Sequence, residues 1–423
     1  MMITIFFPVI RQVFVLLMVI SMCCCAMVQP AHANTVSDLT DPSLYLEATP
    51  FLKDGETPPN LEWLKLAEEI NNDWLVQPIE ENPATLVIAP KQGDLSKAKH
   101  ILVPMGRRSS AFGTAITTSL NLFRSKELFV VLTIVNYNNI QEYGKALLEK
   151  SKSDQTDLIM PVGSIAADFV ITEFAGETLP VVTNTAKDPV LMKQIDSYDR
   201  GSGTNIAFTT FSIPIETLKT YLLQLKPNLK NIGILYESFN ESTVKTQVEP
   251  LVAEANLSGI QTLLYAVDDE DFSKETLIKL IPQALQDMSS SDPALSNSIF
   301  FVTGSASVFQ EIETITNLSR NVVVVATLPD VVKEGSSSAD LSIGVNIQSS
   351  AYVAALYVVD ILSGQTKPGD LPVGYVTPPD VAINFLRTYQ NQLKIPFDFF
   401  ELASFIYDKT GQPVRLFGQN LIG

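Results

Sequence analysis

Cysteine and histidine are scarce in this chain of 423 residues, which has three Cys and two His. Cys23, Cys24 and Cys25 are consecutive, and His32 follows them at the end of an apolar N-terminal run. If that run is removed, the remaining chain has no cysteine and one histidine, His100. A disulfide framework, a thiolate zinc site, a cysteine nucleophile and a multi-histidine metal site are therefore excluded, and no cofactor or metal is predicted.

Motifs for catalysis and nucleotide binding are lacking as well. No GxxxxGK[ST] loop or GxGxxG fingerprint follows a strand pattern, and HExxH and GxSxG do not occur. A Ser/His/Asp triad would have to use His100, and it is disfavoured because His100 opens an apolar run. The glycine-rich segment 201–205 precedes a strand instead of opening a helix, so it is interpreted as a turn and not as a phosphate cradle. The sequence therefore favours a binding protein over an enzyme.

Positive charge is in deficit, with 29 Lys and Arg against 46 Asp and Glu and a formal net charge of -17. Such a surface repels nucleic acid and anionic membranes and favours solubility. We therefore expect no nucleic-acid partner. A content of 46% hydrophobic and 18% charged residues is typical of a globular protein.

The N-terminal residues have the order of a secretory signal peptide. Arg11 precedes the apolar stretch 13–28, and Ala-His-Ala at 31–33 supplies small residues at a cleavage position. Residues 1–33 are predicted to direct export to the periplasm and to be removed. An uncleaved membrane anchor is one alternative, because the apolar stretch is only slightly short of a span. A lipoprotein is disfavoured, since the bulky Met22 precedes Cys23.

Residues 34–99 differ from the rest of the chain and are predicted to be a proline-rich extension with one helix. Seven prolines punctuate the segment, which favours an arm over a compact domain. The helix is predicted from Asn60 to Leu75, where apolar residues recur at near-helical spacing and both tryptophans fall. It is expected to pack on the main body, with a partner-binding role as the alternative.

From His100 onward, short apolar runs alternate with amphipathic stretches, which predicts βαβ units and mostly parallel sheets covered by helices. The pattern restarts after Pro214, so we predict an α/β protein with two doubly wound lobes facing across a cleft. The predicted strands are 101–105, 128–135, 158–162, 180–183 and 205–209, then 232–236, 261–267, 298–302, 322–326 and 341–345.

Several of these segments resemble one family of transport proteins. Segments in both halves of the chain are similar to segments of the tryptophan/tyrosine-type ABC transporter substrate-binding proteins. They are the run DLIMPVGSIAA at 157–167, the pair LPVV at 179–182 and KDPV at 187–190, and the stretch 214–236, which ends in NIGILY. The C-terminal part of the chain is similar to the C-terminal sequence of that family. The similar pieces are Gly364, Leu371-Pro372, Val381 to Asn384 and Ile395 to Tyr407. The segments keep the family's order and span residues 100 to 408.

The resemblance implies a type I periplasmic-binding-protein fold, with two lobes joined by crossing strands that close as a hinge on a small molecule. It implies lobe 1 at 100–212 and 347–371, lobe 2 at 213–346, and a C-terminal crossing segment and helix at 372–423 that packs on the lobes. The implied partners are a small-molecule ligand and an ABC permease in the inner membrane. The alternative is a periplasmic sensor that reports to a membrane kinase or cyclase, which the unusual extension 34–99 motivates.

Candidate ligand-binding residues in lobe 1 follow its strands, because ligands of open α/β sheets lie beyond the carboxyl ends of the strands. Gly163, Ser164 and Ile165 open a helix after one strand, and amides at a helix N-terminus suit a carboxylate. Arg107 and Arg108 follow the first strand, where they could clamp a carboxylate. The full set predicted in this lobe is Arg107, Arg108, Ser109, Gly163, Ser164, Ile165 and Asp188, of which Asp188 is mainly expected to anchor an Asp-Pro turn.

The facing loops of lobe 2 supply the second set, which is Tyr236, Asn240, Thr303, Ser305, Asp330 and Asn346. Tyr236 could stack on a ring, and Asp330 is an acid that could meet an ammonium group. Asn240 stands where the family has a glutamate, and Thr303 to Ser307 lack the aspartate of the family's loop. These departures make an amino-acid ligand doubtful. The predicted ligand class is therefore kept wide and comprises an amino acid or a related small carboxylate or aromatic metabolite.

Overall fold

The computed structural model describes residue 41 and residues 44–53, 55–153 and 155–421. The predicted signal peptide, residues 1–33, lies outside the described residues. The described chain is α/β, with one seven-stranded and one nine-stranded sheet, each largely parallel and covered by helices. This confirms the predicted class of two parallel-sheet lobes. Among the described residues, no helix combines the length and the apolar character needed to span a bilayer.

The first sheet has the order β1-β2-β4-β3-β5-β6-β7. Strands β3 to β7 run parallel to one another, and β2 pairs antiparallel with both β1 and β4. Every residue of β4, β5, β6 and β7 except Thr133 is buried, as expected for strands covered on both faces. The strands are β1 (Trp74–Ile79), β2 (Asn82–Pro90), β3 (Lys99–Met105), β4 (Val130–Asn136), β5 (Leu158–Ile159), β6 (Val181–Val182) and β7 (Ile206–Ala207).

The N-terminal extension is part of this sheet, and the predicted helix from Asn60 to Leu75 is wrong. One helical turn, α1 (Ile70–Asp73), lies at its end, and Trp74 then begins the β1–β2 hairpin. The tryptophan, leucine and valine that open β1 favour an extended backbone, and Pro78 is tolerated because β1 is an edge strand. The apolar residues counted toward the helix are nevertheless buried in the core of lobe 1, where Leu61, Leu64, Ile70 and Trp74 pack together.

Four helices cover the first sheet: α2 (Ala111–Ser125), α3 (Gln141–Ser153), α4 (Ser164–Phe174) and, from much later in the chain, α11 (Ile347–Leu362). Helix α2 buries Phe112, Ala115, Ile116 and Phe123 at spacings of three, four and seven residues, which place them on one face. Helix α11 packs against α2, so the chain returns to lobe 1 after building most of lobe 2.

The second sheet has the order β16-β15-β14-β13-β12-β11-β10-β8-β9 and is parallel from β8 to β12. Strand β13 pairs antiparallel with β12, and β13 and β14 are parallel. The strands are β8 (Asn231–Glu237), β9 (Gln261–Val267), β10 (Ser298–Val302), β11 (Val323–Ala326), β12 (Leu341–Gly344), β13 (Asp380–Asn384), β14 (Ala403–Tyr407), β15 (Pro413–Leu416) and β16 (Gln419–Asn420).

The helices around the second sheet pack on both of its faces, where they complete two clusters of buried apolar residues. A π-helical stretch, Val244–Val248, joins two of them. The helices are α5 (Ile215–Leu225), α6 (Glu241–Thr243), α7 (Glu249–Leu257), α8 (Ser273–Ser289), α9 (Ala306–Phe309), α10 (Ile312–Leu318), α12 (Phe385–Gln390) and α13 (Phe397–Leu402).

The ten strands predicted from residue 101 to 345 all occur, with ends shifted by a few residues. The C-terminal segment does more than cross and end in a helix, because β13 to β16 extend the second sheet beyond β12. This segment was underestimated because β15 and β16 are short and lack a continuous apolar run.

Within the described residues, the chain crosses between the lobes three times: after β7, between β12 and α11, and before β13. Thr209 of the first crossing forms an isolated parallel bridge with Gly374 of the third. The carboxylate of Asp380, at the end of the third crossing, accepts the N–H of Asn346 of the second at 2.9 Å. These contacts tie the crossings to one another and place the carboxyl ends of the two parallel sheets opposite each other.

Candidate functional site

A small cavity of about 70 Å³ lies between the lobes, at the carboxyl ends of both parallel sheets. Lobe 1 lines it with the loops after β3, β5 and β6, and lobe 2 with the loops after β8, β10 and β11. At the ~30 Å³ that a water molecule occupies in the liquid, it has room for about two water molecules. The residues that line it from lobe 1 include Arg107, Ser109, Phe112, Gly163, Ser164, Ile165, Thr185, Lys187 and Phe211, and those from lobe 2 include Asn240, Ser242, Gly304, Ala306, Phe309 and Leu328.

Lys187 is the most unusual group in the cavity. It is 7% exposed, and its Nζ has no hydrogen-bond partner among the described residues. Its ammonium lies over the face of Phe211, whose ring centroid is 5.8 Å from Nζ. Burial lowers the pKa of Lys187 to about 8, and the positive charge of Arg107 acts in the same direction while Glu237 opposes it. A buried ammonium without a partner is costly, so this site is arranged for an anion that the protein does not supply.

Glu237 is the acid that faces these cations from lobe 2. It is fully buried at the end of β8, and its carboxylate is held by lobe 2 itself. Oε1 accepts the backbone N–H and the hydroxyl of Ser307, both at 2.7 Å, and Oε2 accepts the Asn240 amide at 2.9 Å. Arg107 of lobe 1 completes this set, with Nη1 3.6 Å from Oε2.

The start of helix α4 provides the neutral donors of the cavity. Gly163 precedes the helix at φ 87°, a conformation that glycine adopts without strain. A Cβ at this position would lie 2.4 Å from the Phe112 ring, so the close packing also requires glycine. The hydroxyl oxygen of Ser164 accepts the N–H of Lys187 at 3.2 Å, which leaves its own proton free to donate. The first amides of α4 lack carbonyl partners within the helix and are suited to an anion.

The two lobes meet closely around the lysine. Gly304 belongs to lobe 2, and a Cβ built on it would lie 2.6 Å from Lys187 Nζ. The Gly304 N–H donates to Gln247 Oε1 at 2.8 Å, which fixes this loop in place. The ammonium of lobe 1 is therefore enclosed by the backbone of lobe 2. Apolar side chains form the remaining walls, and the bulkiest are Phe112, Phe211, Phe309, Leu328 and Ile347.

Six of the residues predicted from the sequence line this cavity: Arg107, Ser109, Gly163, Ser164, Ile165 and Asn240. The other seven lie outside its lining, and their ligand contacts remain a prediction. Arg108 is exposed, and Tyr236 is half-buried. Asp330 is the exposed residue of the turn Pro329–Val331, whose other two residues are buried.

The remaining four have internal partners in the structure. The Asp188 carboxylate accepts the N–H groups of Val190 and Leu191 and, at 2.5 Å, the hydroxyl of Tyr198, as an anchored turn requires. Thr303 donates its hydroxyl to the Leu235 carbonyl and can accept the hydroxyl of Ser305, and Ser305 in turn accepts the N–H of Glu237. Asn346 caps helix α11 through the N–H of Ser349.

Sequence reasoning missed Lys187 and Glu237. Glu237 is the last residue of β8, so the rule that ligands lie beyond the carboxyl ends of the strands also applies to it. The resemblance to the family instead pointed to Asn240, where the family has its glutamate. Lys187 directly precedes the Asp-Pro turn, where the family pattern has threonine. Nothing in the residues around it indicates that a lysine there would be buried.

A second, larger cavity of about 980 Å³ lies on lobe 1 between α2, α11 and residues 65–69. Its charged lining residues are Lys65 and Glu69, and neither is buried. Within the described part of the chain, no cluster of three His, Cys, Asp or Glu side chains is positioned to hold a metal. The cavity between the lobes, with its unpartnered ammonium, is therefore the candidate ligand site.

Comparisons with known proteins agree with this geometry. Residues 132–398 match the family described as ABC transporter substrate binding protein. No curated protein matches the chain.

Solved structures share its fold. A conserved domain protein from Vibrio cholerae has a TM-score of 0.58 at 17% identity, covering 73% of this chain and 99% of its own. An ABC domain from Streptococcus pneumonia in complex with L-Trp gives 0.57 at 17% identity, covering 72% and 99%. A substrate-binding protein with adhesive properties from Clostridium difficile, in its ligand-free, open form, gives 0.55 at 17% identity, covering 74% and 99%.

Proposed function

The chain belongs to the ABC transporter substrate-binding protein family, and we propose that it is exported and delivers a small carboxylate-bearing solute to an ABC permease. Its fold is the type I periplasmic-binding fold. The leader 1–33 supports export to the periplasm, although it lies outside the described residues. The observation that carries the proposal is the buried, unpartnered Lys187 ammonium in the cavity between the lobes.

Closure of the two lobes around the solute is the proposed mechanism. Lobe 1 offers the helix start at Ser164 and the two cations Arg107 and Lys187, and lobe 2 covers them with Gly304 and Phe309. A solute that contacts both walls stabilises the closed arrangement over the open one, because it gains contacts only when the lobes meet. The permease would then recognise the closed form.

The proposed solute class follows from the groups in the cavity. Two cations face one acid, and the walls carry three phenylalanines. A small carboxylate, including an aromatic one, suits this combination of charge and apolar surface, and the lobes must move apart beyond the 70 Å³ of the cavity to admit the larger members of the class. The solved structure with L-Trp is 17% identical to this chain and relates to it by fold alone, so the solute class proposed here rests on the groups in the cavity.

The N-terminal extension was the reason for the sensor alternative, because a transport protein would not obviously need an additional arm. In the structure this extension has another role. The β1–β2 hairpin of that extension pairs with β4, and its apolar residues complete the core of lobe 1. The extension therefore has a structural role that is independent of any sensor partner.

A metabolite-library thermal-shift screen of the purified mature chain tests the proposed function. A ligand that binds only the folded protein must raise its melting temperature. We expect stabilisation by small carboxylates, and loss of that shift in Lys187→Met. The matched control is Lys193→Met, which removes an exposed lysine six positions away and should keep the shift. A library without any stabilising compound would contradict a solute-binding function.

A further inference from the structure

We propose that the solute is a monocarboxylate that carries no amino group, so that this protein selects deaminated organic acids over amino acids. This inference rests on the proposed function and narrows its ligand class. It follows from three observations at the cavity: an excess of positive charge, an acid that is buried among three hydrogen bonds and the Arg107 guanidinium, and donors grouped on one wall.

The first observation is the charge balance. Arg107 and Lys187 contribute two positive charges, and Glu237 contributes one negative charge. Glu237 is the acid that the structure pairs with Arg107, whereas Lys187 Nζ has no hydrogen-bond partner. A ligand with one net negative charge neutralises the cavity. A zwitterionic amino acid has no net charge and leaves the excess positive charge uncompensated.

The second observation concerns the acceptor that an amino acid would need. A carboxylate has about four acceptor positions. Glu237 uses two on Ser307 and one on Asn240, and its remaining side faces Arg107 at 3.6 Å. A ligand ammonium could bind Glu237 only by displacing one of these partners. It would also lie beside two cations in a buried site, where like charges repel strongly.

The third observation is the placement of the donors. Lys187 Nζ, the free hydroxyl proton of Ser164 and the first amides of α4 all belong to lobe 1, and the Lys187 amide is itself bonded to Ser164. These groups can bind one carboxylate from one side. The opposite surface presents Phe309 and Leu328, which suit an apolar ligand body. Its polar lining residues are Ser242 and Asn240, and Asn240 Oδ1 already accepts the Ser242 hydroxyl and the N–H of Thr243.

Calorimetric titration with matched pairs of compounds tests the inference. The pairs differ at the amine-bearing carbon and span a range of sizes: 2-oxopropanoate and alanine, 4-methyl-2-oxopentanoate and leucine, and 3-phenylpropanoate and phenylalanine. We expect at least one acid to bind about a hundredfold more tightly than its amino-acid partner, because the amino acid leaves its ammonium unpaired. The pair that binds best reports the size of the ligand body.

Variants identify the group responsible. Lys187→Met should abolish binding of the acid, and Lys193→Met should leave the dissociation constant within twofold of the wild-type value. Circular dichroism melts of both variants show whether each one folds. If Lys187→Met does not fold, Lys187→Gln serves the same purpose, since it removes the charge and retains a polar end.

The outcomes separate this inference from the proposed function. An amino acid that binds as tightly as its acid partner, or more tightly, would overturn the inference and leave the solute-binding function intact. If none of the acids binds while a neutral or cationic compound from the metabolite library does, both the inference and the carboxylate class of the proposed function are overturned, and solute binding alone remains. Absence of binding by every pair and every library compound would overturn both.

Discussion

The guanidinium of Arg107 lies 3.6 Å from the buried carboxylate of Glu237, and the two residues belong to different lobes. Arg107 follows β3 of the first sheet, and Glu237 ends β8 of the second. The Arg107 side chain is 24% exposed, so the pair is partly shielded from solvent. It therefore contributes to holding the lobes together and fixes the orientation of the cation beside the ligand cavity.

Removal of this interlobe contact should cost both stability and affinity. Arg107→Met leaves Glu237 with its three hydrogen bonds but without its cation. We expect the free energy of unfolding to fall by about 1 to 2 kcal/mol, less than for a fully buried pair, and the affinity for the carboxylate to fall about tenfold. Urea denaturation and calorimetry measure the two effects.

Arg124→Met is the control for that variant. Arg124 pairs with Asp73 at 2.8 Å within lobe 1, and both side chains are substantially exposed. Surface pairs of this kind contribute about 0 to 1 kcal/mol, and this one is remote from the cavity. Equal effects of the two substitutions on affinity would contradict a role for Arg107 in the site.

Lys187→Met should stabilise the ligand-free protein while abolishing ligand binding. The substitution replaces an unpartnered buried ammonium with an apolar side chain of similar length, which removes its desolvation cost. We expect the free energy of unfolding at pH 7 to rise by about 1 to 4 kcal/mol. A lower free energy of unfolding in this variant, measured by urea denaturation, would indicate that the ammonium has a stabilising partner in the free protein.

The pH dependence of stability provides a second signature of this lysine. Its pKa in the folded protein is about 8, below its ordinary value of 10.5. Between these values the unfolded chain binds more protons than the folded one, so the contribution of Lys187 to stability increases as pH rises. The difference in unfolding free energy between wild type and Lys187→Met should therefore shrink from pH 8 to pH 10. A constant difference would mean that the pKa of Lys187 is not lowered.

Ligand affinity should depend on pH in the opposite sense. A bound carboxylate favours the charged lysine and raises its pKa above the ligand-free value of about 8. Affinity should therefore be level below pH 8 and fall by up to about tenfold per unit as pH rises above it. Calorimetry at pH 8.5 in two buffers of different ionisation enthalpy should detect proton uptake on binding. Affinity that stays level to pH 10 would exclude Lys187 as the charged anchor.

Gly304→Ala tests the close approach of lobe 2 to the lysine. The added Cβ would lie 2.6 Å from Nζ, so the flexible end of Lys187 must move away from its position in the cavity. We expect the affinity to fall about tenfold with a change in unfolding free energy below about 1 kcal/mol, because a side-chain end yields more easily than backbone. Unchanged affinity would show that the ligand does not depend on this placement of the ammonium.

Much of the fold could be predicted because each parallel strand is a short apolar run and each helix follows it at once. The strand at Leu158–Ile159 and the helix that starts at Ser164 were therefore located to within a few residues, and with them the donors of Gly163 to Ile165. The β1–β2 hairpin was not predicted, because Trp74 and Leu75 also fit a helical pattern and the hairpin joins the sheet through the pairing of β2 with β4, which is remote in sequence. Burial of Lys187 likewise depends on Phe211 and Gly304, which follow it by 24 and 117 residues.

The most direct test of the account is a crystal structure of the protein with the carboxylate that stabilises it most in the library screen. The account predicts that the carboxylate lies between the lobes, within hydrogen-bond distance of Lys187 Nζ and the Ser164 hydroxyl, with Arg107 still paired to Glu237. A ligand bound in the larger cavity beside α2 and α11, or bound between the lobes without contact to Lys187, would contradict it.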